Sequence, residues 1–415
     1  MTSQPTDAGP APDRNTLKAN LRRAERRHKM RAYGLIAPLF LFLLAFFLVP
    51  IGSVLYFSVS NPEVVTMLPR VTAALRDWDT RSLPGEAVFA ALAEDMKRGY
   101  ADYSLPKVSL RLNYEVSGFR SLLMRTGRKA KHMKASFKAA MIARDKRWAE
   151  LIYWRTIKAN DSRFTLHYLL QALDLDLQWD GSVRRVAPDH QIYLSNLRRT
   201  LWIALVVTII CILLGYPVAC IIATAPPRVA KYLILLVLLP FWTSLLVRTA
   251  AWVIVLQKSG IVNDALIGLG LIEVPLALIF NRTGVYISMV HILLPFMILP
   301  LYSVMKGIPG DHVRAAASLG ATPRSAFLSV YFPQTVPGLA AGCLLVFVIS
   351  LGFYITPMLI GGGSDQMLAY LIAEFATNTA NWGLAGALAM LLLVCIAVLY
   401  PFYQRFAGAG GMKLG

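Results

Sequence analysis

Four cysteines, six histidines and 23 carboxylates are the side chains from which this 415-residue chain could build a reactive site. Cys211, Cys220, Cys343 and Cys395 all lie in apolar runs with no C-x-x-C pair among them. They read as small buried hydrophobes, so neither a disulfide framework nor a metal site is expected. No G-x-x-x-x-G-K-[ST] loop is present to cradle ATP phosphates, and no set of nucleophile, base and orienting group stands out. Within the long apolar runs of the second half the ionisable candidates are Arg248 and His291. The ladder of intramembrane carboxylates that a proton-driven carrier needs is therefore missing.

What remains is a mechanical element. Gly310-Asp311 offers a helix N-cap, His312 to Leu319 a short Ala-rich helix, and Gly320 the left-handed residue that ends it. Thr322-Pro323 then starts a second helix, expected to run to about Tyr331 before Pro333 stops it. The small side chains of Ala315, Ala316 and Ala317 allow another protein to approach the backbone closely.

The elements that hold this knuckle are legible in the composition. The chain is 56% apolar and 16% charged, with a mean hydropathy of +0.53. A soluble chain carries about 25% charged residues, so neither a soluble enzyme nor a disordered protein is expected. Residues 1–199 hold 32 of the 42 Lys and Arg, which leaves residues 200–415 nearly bare of charge. Residues 1–32 are a polar, basic tail. Residues 33–57 form the first spanning helix, whose core Gly34–Phe57 is 24 residues without a charge. At about 1.5 Å per residue this crosses roughly 30 Å of hydrocarbon. It is too long for a signal-peptide core and lacks a clean cleavage site, so a retained helix is expected. Residues 58–198 are dense in both charge signs and form a water-exposed, mainly helical insert. Glu86–Tyr100 and Ala130–Asn160 are its expected helices, with Phe137, Met141, Trp148 and Ile152 on one face of the second.

Residues 199–406 form a five-helix core and 407–415 a short tail. Expected spans are Thr200–Thr224, Tyr232–Leu256, Gly284–Val304, Gly338–Ile360 and Leu384–Phe402. The fold class is thus an all-α integral membrane protein with six transmembrane helices. Gly260–Phe280, interrupted by Asn263, Asp264, Glu273 and Pro275, is expected to form two short interfacial helices. With the tail inside, the inner segments carry fifteen Lys and Arg, against two in the short outer loops, Lys258 and Arg282. Both termini are therefore expected in the cytoplasm, the insert outside it and the loop 306–336 inside. Arg198 and Arg199, hard against the outer end of the second helix, run against the rule. The basic run Arg125, Arg128, Lys129, Lys131, Lys134 and Lys138 does not indicate nucleic acid, because that topology puts it outside the cytoplasm.

Arg314-Ala315-Ala316, Gly320, Val330, Phe332 and Pro333 resemble the E-A-A-x-x-x-G-x9-I-x-L-P loop of binding-protein-dependent ABC importer permeases. Leu213-Leu214-Gly215-Tyr216-Pro217, the run Leu239 to Thr249, Leu294 to Tyr302 and Pro337-Gly338 to Pro357 look like the polyamine branch, spermidine/putrescine or opine. The resemblance covers about 194–406, with the first helix weakly included and the tail and insert left out. It implies a type I permease subunit whose loop docks on a cytoplasmic ATPase. The family's partners are ABC ATPase subunits, a second permease subunit and an extracytoplasmic solute-binding protein. It implies no cofactor in this chain, with ATP and Mg on the ATPase, and the inner membrane as the location. Arg314 replaces the family's Glu, and a positive charge near a helix N-terminus opposes the macrodipole by some tenths of a kcal/mol.

Trp242, Thr243, Arg248, Tyr286, Ser288, Tyr354 and Thr356 are candidates for lining a pathway, since polar groups in membrane helices face protein or water. Arg248 is otherwise expected to snorkel or to pair with a carbonyl. Beyond residue 199 the acids are Asp264, Glu273, Asp311, Asp365 and Glu374, all in or near loops. A multivalent cation would therefore not be held firmly at mid-membrane by this chain. The rival readings are a membrane-anchored structural or sensory protein that works through its insert, and a secondary transporter.

Overall fold

The computed structural model describes residues 14–133 and 136–409. The first part of the tail, Lys134 of the basic run and residues 410–415 lie outside the described residues. Two units are resolved by their internal contacts, residues 1–56 and 57–415, and among the described residues six helices are long and apolar enough to cross a membrane.

The first unit is one helical rod: Arg14–Leu43, a π turn at Leu44–Leu48, then Val49–Phe57. The π turn has a sequence cause. Pro50 has no N–H to give and its ring would crowd the carbonyl one turn back, and the wider turn, with Val49 N–H bonded to Leu44 O, relieves that position.

In the second unit, the insert folds around its own core. Helices Glu86–Ala101, Leu105–Asn113 and Phe119–Ala130 bury Phe89, Leu92, Leu112, Phe119, Trp148 and Trp154. Both indoles find partners, Trp148 Nε1 donating to Thr126 Oγ1 at 2.9 Å and Trp154 Nε1 to the Trp148 carbonyl at 3.0 Å. The expected long helix Ala130–Asn160 is broken into Phe137–Arg144, a 3-10 turn Lys146–Ala149 and Leu151–Ala159. The break lies at Asp145, whose carboxylate accepts from the Arg147 N–H and side chain instead of letting the helix continue. Met141 and Trp148 are buried as the spacing requires, but Ile152, beyond the break, is exposed. A two-stranded antiparallel hairpin, β1 Leu175–Leu177 and β2 Val183–Arg185, was not anticipated. Arg111, buried, ties the insert's ends together: it donates to Asn61 Oδ1 at 2.8 Å and Asn160 Oδ1 at 2.7 Å and pairs with Glu115.

The spanning helices follow. The second is Tyr193–Thr224, the fourth Arg282–Lys306 and the sixth Trp382–Ala409. Asp174 accepts from the N–H groups of Ile192, Tyr193 and Leu194 at 3.1, 3.0 and 2.8 Å, a carboxylate at the N-terminus of the second helix. The second, fourth and fifth helices share an apolar core of their own, with Val207, Cys211, Met289, Leu293, Met297 and Val346 in it. Gly338 and Gly342, one turn apart on the fifth, bring it against Val304 and Met297 of the fourth.

Three expected boundaries are corrected. Tyr232–Leu256 is not continuous: Pro227–Leu238 runs into a 3-10 turn Leu239–Trp242, and a new helix, Leu245–Leu256, is capped by Ser244. Pro240 is the cause, since it removes a donor. Gly338–Ile360 instead begins near Pro323, ends at Leu351 and is followed by a separate turn of helix, Ile355–Ile360. There Pro357 cannot continue the ladder but is tolerated in a first turn. In Gly260–Phe280 only Ile261–Gly268 is helical. The remainder is non-helical, and Asn263 ties it down: its Oδ1 accepts from the Leu276 N–H at 2.8 Å and its Nδ2 donates to the Leu276 carbonyl at 3.1 Å.

Candidate functional site

The loop 306–336 has the angle that its sequence requires. Asp311–Ser318 is helical after Gly310. Its C-terminus closes by the two bonds of a Schellman motif, Ala321 N–H to the Ala316 carbonyl and Gly320 N–H to the Ala317 carbonyl, both 3.0 Å. Gly320 takes φ +89°, and a Cβ built there would meet nothing within 4 Å, so backbone conformation alone demands glycine. Thr322 caps the next helix, its Oγ1 accepting from the Ser325 N–H at 3.3 Å, with Pro323 at the first position.

That second helix does not stop at Pro333. Pro323–Ala326 passes through a π turn, Phe327–Tyr331, directly into Phe332–Leu351. The Phe332 N–H bonds to the Phe327 carbonyl, five residues back. As at Pro50, the π register removes the conflict between the proline ring and the preceding turn. The second arm of the knuckle is therefore continuous with the fifth spanning helix. Val330 and Phe332 are half-buried on it and Pro333 is exposed.

Two further contacts fix the knuckle. His312 Nδ1 lies 2.9 Å from Gln334 Oε1, and Gln334 Nε2 donates to the Val330 carbonyl at 2.7 Å. Tyr216 of the second helix shares a 3.1 Å hydrogen bond with Thr335, and its ring meets Phe327 and Phe332 at 6.3 and 6.0 Å.

The outer face of the first short helix is left open. None of Asp311–Ser318 is buried, and Leu319 is 89% exposed beside Ala315 and Ala316, with Leu328 at 62%. An apolar side chain so placed, next to alanines on a rigid support, fits a docking surface. Arg314 is exposed and ion-paired to Asp311 three residues before it, so the charge that replaces the family's Glu is compensated within its own helix. Leu319, Leu328, His312 and Gln334 were not singled out from sequence. Leu319 falls four residues after Ala315, and that helical spacing was the signal available.

The expected pathway residues separate into two groups. Trp242 (73% exposed), Thr243 and Tyr354 are open, the Thr243 hydroxyl donating back to the Pro240 carbonyl. Tyr286 is half-buried against the main core. Ser288 and Thr356 are fully buried, Ser288 donating to the Gly284 carbonyl and Thr356 sharing a 3.2 Å bond with Thr249, so neither opens onto a cavity of this chain. Arg248 is half-buried, with Nε and Nη1 shielded and without an acceptor among the described residues. His291 accepts from Trp252 Nε1 at 3.2 Å.

Residues 200–407 match the family described as binding-protein-dependent transport system inner membrane component. The spermidine/putrescine transport system permease protein PotB of Escherichia coli K12 is 34% identical over 214 residues, 52% of this chain and 78% of that protein. PotB of Haemophilus influenzae is 36% identical over 200 residues, 48% and 70% of the two chains. The molybdenum transport system permease protein ModB of Mycobacterium bovis is 27% identical over 192 residues, 46% and 71%. Among solved structures, a bacterial alginate ABC transporter in complex with an alginate pentasaccharide-bound periplasmic protein aligns at 15% identity. Its TM-score is 0.44, over 75% of this chain and 95% of that one.

Proposed function

The chain belongs to the family of inner-membrane components of binding-protein-dependent transport systems, on the side similar to spermidine/putrescine permeases. From that premise we propose that it is the tail-in permease subunit of an ATP-driven importer, working through the loop 306–336. The observation that carries this is the exposed face of Ala315 and Leu319, with Ala316 half-buried beside it, on a knuckle whose second arm is continuous with the fifth spanning helix. A partner ATPase, holding ATP and Mg, seats that face. Its closure moves the knuckle, and because Phe332–Leu351 extends the same helix and Tyr216 ties it to the second, the displacement reaches the membrane core as rigid-body motion.

A second permease subunit completes the pathway, and Arg248 supports this. A charge at the centre of a membrane helix costs about 2.5–3.5 kcal/mol on insertion scales, and Arg248 Nε and Nη1 have no acceptor among the described residues, so a second subunit would supply the counterpart. The solute is a small organic molecule, polyamine-like or opine-like, delivered by an extracytoplasmic binding protein to the face that carries the insert. Asp365 is taken by Arg282 and Asp311 by Arg314, so this chain offers little to hold a cation at mid-membrane and selection rests with the binding protein. Purification of the complex from membranes tests the reading. An ATP-hydrolysing subunit and a second permease should accompany the chain, and labelled spermidine should accumulate in vesicles only with ATP. A chain that purifies alone and leaves uptake unchanged when deleted refutes it.

A further inference from the structure

The Arg198-Arg199 pair, at the end of the second helix away from the coupling loop, sits where short loops are almost free of basic residues. The structure gives it a neighbour. Arg282, at the start of the fourth helix, lines the same cavity of about 610 Å³, and Arg199 lies in the field of Arg198, Arg282 and Asp365. Asp365 is buried and accepts from Arg282 Nε at 2.9 Å, while Arg199 donates to Asn196 Oδ1 at 2.9 Å and to the Gln366 carbonyl at 3.1 Å. Arg198, Arg199 and Arg282 thus line one cavity, and of the three only Arg282 is ion-paired among the described residues, to Asp365. Below them the cavity wall turns apolar through Leu201, Trp202 and Leu205. Leu205 also opens a second groove of about 390 Å³, lined by Thr208, Leu339, Cys343, Phe347 and Leu399 with almost no polar surface. From Arg198 to Thr208 is ten residues, about 15 Å of helix, or half the hydrocarbon thickness.

We propose that this continuous surface is a binding site for one phospholipid with an anionic headgroup, its phosphate on Arg198 and Arg282 and an acyl chain along Leu205. A basic rim at headgroup depth, a half-exposed Trp202 at the interface and an apolar groove that begins at Leu205 and runs on along the helices match the three parts of such a molecule in order. The arginine fork suits a phosphodiester better than a point charge does. The site explains why two arginines persist on the side of the membrane where basic residues are otherwise scarce, and it does not depend on which solute is carried.

The test uses the full chain with its co-purifying subunits in nanodiscs, with retained lipid read by native mass spectrometry. Phosphatidylglycerol should be retained over phosphatidylcholine, and Arg198→Gln should lower its retention roughly tenfold. Leu205→Trp, which fills the groove and leaves the arginines in place, should expel the lipid as well. Inorganic phosphate in excess should not displace it. Equal retention of the two lipids, or retention unchanged by both variants, overturns the proposal. Displacement by inorganic phosphate would mark a free-anion site instead. A cross-link from Leu205→Cys to a helix of another subunit would show that protein fills the groove, and would overturn it too.

Discussion

His312 Nδ1 stands 2.9 Å from Gln334 Oε1, joining the exposed helix of the loop 306–336 to the base of the fifth spanning helix. Because the Gln334 amide nitrogen donates to the Val330 carbonyl, its oxygen faces His312, and the network assigns the proton to Nδ1. The bond braces the two arms of the loop against each other. Gln334→Leu removes it, at about 0.5–1.5 kcal/mol for one hydrogen bond. Uptake should fall severalfold while ATP hydrolysis by the complex persists, measured side by side in proteoliposomes.

Gly320 needs φ +89° in open space, so substitutions there act through the backbone alone. Ala costs about 1–2 kcal/mol in a left-handed position and β-branched Val more, whereas Asn visits that region readily. Transport rates should rank wild type, Gly320→Asn, Gly320→Ala, Gly320→Val, with the protein inserted throughout. A Val variant as active as wild type would count against a fixed angle at this turn.

The insert is seated on the membrane core at Gly383, where an added Cβ would fall 2.3 Å from Tyr168 Cε2. Tyr114 Oη donates to the Thr379 carbonyl nearby, at 2.9 Å. Gly383→Ala should therefore loosen the seat by about 1–3 kcal/mol of overpacking, read as faster proteolysis between residues 160 and 190. Adding Tyr168→Leu, which shortens the opposing side chain, should recover part of the protection.

His167 supplies a pH dependence. Burial, with Arg111 nearby, holds its imidazole below the ordinary 6.5, partly offset by Glu115 and Asp176, and its Nε2 is shielded without a hydrogen-bond partner among the described residues. The unfolded chain then takes up a proton before the folded one. The stability of the insert is full above 6.5 and declines as pH falls from there toward the lower folded value. Thermal unfolding followed from pH 8 to pH 5 should show that slope, and His167→Gln should flatten it.

Much of this was readable from residue types. Long charge-free runs located six spans, and Gly320 and Thr322-Pro323 located the knuckle, because left-handed and capping positions restrict the residues allowed. Pro240, Pro333 and Pro357 were harder. A proline does not announce whether it breaks a helix, begins one or is absorbed by a π turn, since that depends on which carbonyl stands five residues back. Asp145 and Asn263 likewise redirected their segments by side-chain bonds to backbone that periodicity does not register. Which pathway candidates are open was also out of reach: Ser288 and Thr356 turn inward, Trp242 and Tyr354 outward, and only helix packing decides this. The match of the family to residues 200–407 agrees with the extent of the recognised motifs, and the insert lies beyond it.

The central claim is that the face beside Leu319 meets an ATP-hydrolysing subunit. A photoactivatable cross-linker on Leu319→Cys, in a background where Cys211, Cys220, Cys343 and Cys395 are replaced by Ala or Ser, measures this in intact membranes. The expected result is a cross-link to that subunit whose yield changes with ATP, together with protection of the cysteine from a membrane-impermeant reagent added outside the cell. Labelling from outside, or no cross-link to a nucleotide-binding subunit in an actively transporting complex, would contradict it.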